Sequence, residues 1–119
     1  MTPAPARGDV WLVDFDPVRG HEQGKKPRPA IIVSGAILNE GPYGMVIVVP
    51  LTRTRTGFPF HVPVRRQIGD QLVQSFVMCE QVRAVSTERL IRFLGDKADE
   101  RVMALIGVRL RPLLELDGM

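Results

Sequence analysis

The residues best placed for chemistry stand at the ends of two apolar runs of the chain. Arg28 lies between Pro27 and Pro29. Because proline fixes φ and restricts the residue before it, Arg28 is held on a stiff, extended backbone. Thr52 closes the second run, where loops positioned by a rigid sheet usually carry function. A solvated arginine and a strand-ending threonine explain the same pattern, and these residues alone favour that simpler interpretation.

The charge distribution indicates a polyanion as ligand. The formal net charge is +3 and the sequence pI is about 9.6. No Asp or Glu occurs from Gly41 to Gly69, and this stretch contains Arg53, Arg55, His61, Arg65 and Arg66. A second basic group is opposed only by Glu22 and comprises Arg19, Lys25, Lys26 and Arg28. Surface arginines also keep small proteins soluble, but the acid-free stretch favours a polyanion-binding surface.

Several other site classes find no support in the sequence. There is no phosphate-binding P-loop, no GxGxxG motif and no GxSxG motif around a serine. The two histidines, His21 and His61, do not make a metal site by themselves, and Asp14 and Asp16 are better explained as marking a strand end. We therefore predict no metal and no cofactor.

The composition predicts one soluble domain. The chain has 119 residues, of which 45% are hydrophobic and 24% charged, as in ordinary globular domains. The longest apolar stretch is far shorter than the roughly 20 residues of a membrane helix. A single cysteine, Cys79, rules out an intrachain disulfide, which suits a cytoplasmic protein. We expect residues 1–6 to form a disordered tail and residues 7–116 to form the domain.

The coarse element pattern is mainly β, followed by helices. Strands are predicted over 9–15, 30–34, 45–52 and 58–64, and 71–85 indicates two more strands or one bent strand. The runs 30–34 and 45–52 are continuously apolar, which is typical of strands buried on both faces. Next, Ser86 or Thr87 is predicted to cap a short helix that ends at Gly95.

A terminal helix is predicted after that short helix. Asp96 is expected to act as its cap, Asp99 and Glu100 suit its first turn, and Pro112 should kink or end it. These elements together predict a small, bent β-barrel with a helix packed on it.

A series of motifs resembles the MazF/PemK family of toxin–antitoxin ribonucleases. The motifs are Arg7-Gly-Asp-Val-Trp-Leu-Val-Asp-Phe-Asp-Pro17, Gly20-His-Glu-Gln-Gly24, Arg28-Pro-Ala-Ile-Ile-Val33, Val49-Pro-Leu-Thr52, Gly57-Phe-Pro-Phe60 and Glu80-Gln-Val-Arg83. The resemblance extends from Arg7 to about Leu116. It implies an α+β, mainly β fold, namely a small SH3-like barrel of the CcdB/MazF type with a short helix and a C-terminal helix.

The resemblance also implies an activity and partners. Members of this family cleave single-stranded RNA, including mRNA, at short sequences without a metal, and leave 2′,3′-cyclic phosphate and 5′-hydroxyl ends. They act as homodimers in the cytoplasm, with no membrane association. A MazE-like antitoxin with an acidic, disordered tail neutralises them, and toxin and antitoxin bind DNA together.

Carried over by motif, Arg28 and Thr52 take the positions of the catalytic arginine and of the catalytic threonine or serine. Arg28 is expected to stabilise charge and Thr52 to orient the phosphate. Glu22 or His21 is the candidate proton acceptor, because a guanidinium is effectively never deprotonated. The residues expected to bind substrate are Lys25, Lys26, Arg53, Arg55, Phe58, Arg65 and Arg66. Phe60 and Tyr43 are alternatives to Phe58 as the aromatic residue that stacks on an unpaired base.

Two other function classes stay open at the sequence level. One is a gyrase poison of the CcdB type, which has a related fold and cuts nothing. That type is associated with a C-terminal tryptophan, whereas this chain ends Leu116-Asp-Gly-Met119. The other is a non-catalytic, SH3-like module that binds nucleic acid through its basic loops. Joint loss of Arg28 and Thr52 discriminates between these classes and a nuclease, since only cleavage requires both.

Overall fold

The computed structural model describes residues 4–17, 19–22 and 26–116. Within them the chain forms seven strands, two α-helices and two 3₁₀ turns. The strands and helices are β1 (Asp9–Val13), β2 (Arg28–Ile32), α1 (Ala36–Asn39), β3 (Met45–Thr52), β4 (His61–Ile68), β5 (Gln71–Met78), β6 (Arg83–Ser86), β7 (Leu90–Lys97) and α2 (Glu100–Leu114). The 3₁₀ turns are Cys79–Gln81 and Thr87–Arg89.

All strand pairs are antiparallel, and β3 lies at the centre of the sheet. The strand order is β4-β5-β3-β2-β1-β7, with β6 also paired to β3. Along one side, residues 45–48 of β3 pair with β6 and residues 51–52 pair with β5. Pro50, which has no N–H to donate, lies between these two pairings. The change of partner along one strand lets the sheet curl around the core.

The curl brings the two edge strands of the sheet together. Arg66 of β4 forms an ion pair with Asp96 of β7, with Nε 2.8 Å and Nη2 3.2 Å from the two carboxylate oxygens. Because β4 and β7 are the ends of the strand order, this pair joins opposite edges of one sheet. The mainly β, curled architecture predicted from the sequence is confirmed.

The core has two parts, one on each face of β2 and β3. Ile31 and Val49 belong to the part that packs against α2 through Met103 and Ile106. Residues 13, 15, 30, 32, 46, 48 and 85 form the other part. The prediction that β2 and β3 are buried on both faces is confirmed, and this burial makes them the most rigid supports available to a site.

Helix α2 begins one residue after its cap and ends shortly after its proline. The Asp99 carboxylate accepts a hydrogen bond of 2.9 Å from the backbone N–H of Val102, so the N-cap is Asp99 and the predicted cap at Asp96 is wrong. The helix continues through Pro112 and ends at Leu114. No helix in the described ranges is long and apolar enough to cross a bilayer.

Two local predictions need correction. The helix expected between Ser86 and Gly95 is a 3₁₀ turn followed by strand β7, because residues 90–97 pair with β1. The strand expected over 58–64 begins only at His61. The single-turn helix α1 was not predicted. In the expected tail, residues 1–3 lie outside the described residues, and the Ala6 N–H donates to the Asp9 carboxylate over 2.9 Å.

Candidate active site

The beginning of β2 and the end of β3 lie side by side at a cleft of about 250 Å³. It is lined by residues from the start of β2, the end of β3 and the middle of β4 and β5: Lys26, Pro27, Arg28, Pro29, Leu51, Thr52, Arg53, Arg66 and Ser75. Four of these side chains are cationic, and no carboxylate from the described residues lines the cleft. Its charge therefore suits an anion.

Arg28 is fixed at the first position of β2. Its backbone pairs with Val13 of β1, and its Nη1 donates a hydrogen bond of 3.3 Å to the Leu51 carbonyl at the end of β3. Its Nε is buried and has no hydrogen-bond partner among the described residues. A buried donor without a partner is costly, which marks Arg28 as a residue kept for a reason other than packing.

Thr52 lies at the same end of this strand pair as Arg28, because β2 and β3 are antiparallel. It is the last residue of β3 and pairs with Phe76 of β5. Its Oγ1 accepts a hydrogen bond of 3.2 Å from the Thr54 N–H. Since a hydroxyl can accept and donate at the same time, its hydrogen remains available to an oxygen in the cleft.

Sequence reasoning missed one residue of the cleft, Ser75. It lies in β5 beside Phe76, the strand partner of Thr52, and is 3% exposed. Its neighbours Phe76, Val77 and Met78 are buried and apolar. A lone small polar residue at the start of a buried apolar run was the available signal. Ser75 places a second hydroxyl, besides that of Thr52, on the lining of the cleft.

The cations predicted to bind substrate are not all in the cleft. The cleft is lined by Lys26, Arg53 and Arg66, and the Arg66 guanidinium also forms the ion pair with Asp96. Arg65 faces a different cavity, beside the start of α2. Neighbouring residues of a strand point to opposite faces, so only one of the two adjacent arginines can reach the cleft.

The loop between β3 and β4, residues 53–60, carries Arg53 and Arg55. The Arg55 guanidinium lies 4.9 Å from the centre of the Phe76 ring, a cation–π contact that draws the loop back over β5. Gly57 has φ of 79°, which lets the loop turn there without strain. Arg53 therefore lines the cleft from the loop, and Arg55 of the same loop lies over Phe76.

The aromatic residues predicted to stack a base lie outside the cleft lining. Phe58 and Phe60 do not alternate along a strand as expected; their ring centres are 5.4 Å apart in the loop, and both rings contact His61. Phe58 is about half exposed. Tyr43 comes shortly before Met45, where β3 begins, whereas Thr52 is the residue at which β3 ends.

The candidate proton acceptors lie on the loop between β1 and β2. The Glu22 carboxylate accepts a hydrogen bond of 2.5 Å from the Arg19 N–H, and the His21 carbonyl accepts one of 3.3 Å from Gln81 Nε2. Both side chains are exposed, and neither lines the cleft. Lys25 lies outside the described residues.

A buried thiol lies close to these loops. Cys79 begins the 3₁₀ turn after β5 and is fully buried. Burial and the charge of Glu80 raise the pKa of the Cys79 thiol to about 12, although the nearby Arg109 cation opposes the rise. The thiol is therefore protonated, and it does not line the cleft.

The chain is similar throughout to one toxin family. Residues 6–114 match the model of the family described as PemK-like, MazF-like toxins of type II toxin–antitoxin systems. The endoribonuclease toxin ChpB of Escherichia coli strain K12 is 37% identical over 113 residues, covering 92% of this chain and 93% of the relative. Endoribonuclease MazF9 of Mycobacterium tuberculosis is 36% identical over 94 residues, covering 75% and 79%.

Solved structures show the same similarity in three dimensions. The crystal structure of MazF from Deinococcus radiodurans aligns with a TM-score of 0.82 at 28% identity, covering 96% of this chain and 99% of the other. A mycobacterial endoribonuclease in complex with its cognate antitoxin aligns with a TM-score of 0.74 at 27% identity, covering 95% and 97%. The predicted barrel of the MazF type is confirmed.

Proposed function

Because this chain belongs to the family of PemK-like, MazF-like toxins of type II toxin–antitoxin systems, we propose that it is an endoribonuclease toxin that cleaves single-stranded RNA. The observation that carries the proposal is the half-buried Arg28 guanidinium, whose buried Nε has no partner among the described residues and which lines the same small cationic cleft as the Thr52 hydroxyl. Cleavage of mRNA by this site would stop translation and growth.

The proposed reaction is an internal transesterification. The ribose 2′-oxygen attacks the adjacent phosphorus, the bond to the 5′-oxygen of the next nucleotide breaks, and a 2′,3′-cyclic phosphate and a 5′-hydroxyl remain. Negative charge accumulates on the non-bridging phosphate oxygens during attack. Arg28 donates to these oxygens from a fixed position, and the Thr52 hydroxyl orients the phosphate. We propose that no metal takes part.

Two protons move in this reaction, one from the 2′-hydroxyl and one to the leaving 5′-oxygen. Arg28 is a poor candidate for either transfer, because its guanidinium stays protonated. We retain Glu22 and His21 as the candidate acceptors. Both are exposed on the loop that leads to β2, so RNA binding would have to bring this loop over the cleft.

The proposed partners follow from the family. A mycobacterial relative has been solved in complex with its cognate antitoxin, and we propose that an acidic MazE-like antitoxin neutralises this chain as well. The arginines of the acid-free stretch from Gly41 to Gly69 offer the charge that such a partner would complement. We further propose that the toxin is a homodimer and acts in the cytoplasm, where its RNA substrate is found.

The experiment is cleavage of a defined set of single-stranded RNAs by the purified protein in EDTA, with product ends identified by mass spectrometry. We expect cyclic-phosphate and 5′-hydroxyl ends from the parent protein and none from Arg28→Ala or Thr52→Ala. Equal cutting by all three proteins would point to a contaminating nuclease. Intact RNA across varied sequences would reject the nuclease and direct the next test to gyrase inhibition and RNA binding.

A further inference from the structure

The 3₁₀ turn Cys79–Gln81 contacts both loops that border the cleft. It joins β5 to β6, and its two polar side chains point to different loops. Gln81 Nε2 donates to the His21 carbonyl in the loop before β2. His61 is the residue that follows the loop before β4. Its Nε2 lies 2.9 Å from Oε1 and 3.0 Å from Oε2 of Glu80. One short turn thus connects two separate loops.

The connection continues from His61 into the β3–β4 loop. His61 Nδ1 lies 3.1 Å from Thr56 Oγ1, and Thr56 Oγ1 accepts a hydrogen bond of 3.1 Å from the Phe58 N–H. The tautomer with its hydrogen on Nε2 fits both contacts of the ring: His61 donates to Glu80 Oε2 and accepts from Thr56. The His61 side chain is 4% exposed, so water competes little for these bonds.

This chain of hydrogen bonds fixes the part of the protein that carries Arg53 and Arg55. The β3–β4 loop runs from the end of β3 to His61, and its residues 53–59 are exposed. An exposed loop loses conformational freedom when it binds a ligand, and ordering it in advance removes that cost. The connection from Glu80 through His61 to Thr56 is positioned to do this near the middle of the loop.

We propose that His61 is a positioning residue for RNA binding, which acts by coupling the Cys79–Gln81 turn to Thr56 and so holding the loop that presents Arg53 and Arg55. The proposal rests on the proposed nuclease function. It assigns no chemistry to His61, whose side chain is buried away from the cleft lining. Arg28 and Thr52 are held by strand pairing instead. The loop residue that contacts the Thr52 hydroxyl, Thr54, lies next to the end of β3, so loosening the loop around Thr56 leaves the reacting groups in place.

The first arm of the test compares Thr56→Val, Thr56→Ser and His61→Phe in steady-state RNA cleavage. Valine removes the hydroxyl at an exposed position, serine keeps it, and phenylalanine keeps the ring between Phe58 and Phe60 without its nitrogens. We expect KM to rise about threefold to tenfold for Thr56→Val and His61→Phe, with kcat unchanged, and Thr56→Ser to match the parent protein. A parallel loss of kcat in all three variants would contradict positioning.

The second arm needs no RNA. Trypsin cuts after arginine, and Arg53 and Arg55 lie in the exposed loop, so the rate of cleavage there reports how often the loop opens. We expect faster cutting in Thr56→Val and His61→Phe than in Thr56→Ser and the parent protein, at equal thermal stability of Thr56→Val and Thr56→Ser.

The two arms separate the two hypotheses. If the parent protein cuts no RNA while trypsin still discriminates valine from serine, the nuclease function fails and the anchoring of the loop stands. If the parent protein cuts RNA and neither KM nor the tryptic rate distinguishes Thr56→Val from Thr56→Ser, the positioning role of His61 is overturned.

Discussion

The candidate functional side chains around the cleft are supported in two different ways. Arg28 and Thr52 belong to β2 and β3, whose residues are buried on both faces. Arg53 and Arg55 belong to an exposed loop that side chains hold in place. A buried strand fixes an atom far more closely than a loop does. In the proposed reaction, the positions that require fixed geometry are therefore held by strands, whereas those that require only charge within reach lie on the loop.

The largest effect is expected at Arg28, one of the two residues that strands hold in place. Arg28→Ala should lower kcat by about a hundredfold to a thousandfold, because a fixed donor to the developing charge is lost. Single-turnover cleavage at saturating RNA measures this step apart from binding. Arg28→Lys is the matched control: it keeps the charge and loses the planar fork, and we expect it to recover only part of the rate.

Substitutions of Thr52, the other strand-held residue, test the role of its hydroxyl. Thr52→Ala should lower kcat by about a hundredfold, while Thr52→Ser keeps a hydroxyl on the same strand and should stay within a few-fold of the parent protein. The same single-turnover assay applies. A serine variant as slow as the alanine variant would mean that the methyl group, and not the hydroxyl, is the essential feature.

Substitutions of the two loop arginines, Arg53 and Arg55, should change KM and the salt dependence of RNA binding. Arg53→Gln and Arg55→Gln are each expected to raise KM several-fold with kcat nearly unchanged. Each should also reduce the slope of log affinity against log salt by about 0.7 if that side chain contacts one phosphate. Arg65→Gln is the control, since Arg65 faces another cavity. An equal loss of slope in Arg65→Gln would extend the RNA path beyond the cleft.

The smallest effect concerns stability alone and lies away from the cleft. Burial raises the pKa of Asp9, but hydrogen bonds from Lys97, the Ala6 N–H and the Trp11 indole outweigh it and hold the pKa below its ordinary 3.8. A depressed pKa in the folded state stabilises the protein above the ordinary pKa, and this contribution is lost as the pH falls through the folded-state pKa. Urea unfolding should therefore show Asp9→Asn to be less stable than the parent protein at pH 7, with the difference vanishing in acid. Its RNA cleavage rate at pH 7 should not change.

The sequence predicts the strand-held half of the molecule well, for a physical reason. Continuous apolar runs leave little choice but burial on both faces, so β3 was predicted with its observed bounds, Met45–Thr52. Strand β7 was mistaken for a helix, because Leu90, Ile91 and Leu94 fit a helical spacing. Pairing with β1 overrides that local preference, and no short-range pattern reports a partner that lies about 80 residues earlier in the chain.

The candidate site divides in a similar way. Motifs indicated Arg28 and Thr52, and the fold brings both to one cleft. Arg66 and Arg65 were indistinguishable in the sequence, because the face that each residue takes depends on the register of β4 against β5. Asp96 was predicted as a helix cap and instead pairs with Arg66 across the two sheet edges. Such long-range ion pairs leave no mark in local sequence.

The burial of Cys79 has a consequence for the chemical durability of the protein. Oxidants and electrophiles react with the thiolate, and burial, which raises the pKa of the Cys79 thiol to about 12, keeps it protonated at pH 7. The turn that begins at Cys79 is therefore shielded from peroxide, and sulfenic acid should not form there. The connection between the two loops should thus outlast oxidative conditions that inactivate enzymes with exposed thiols.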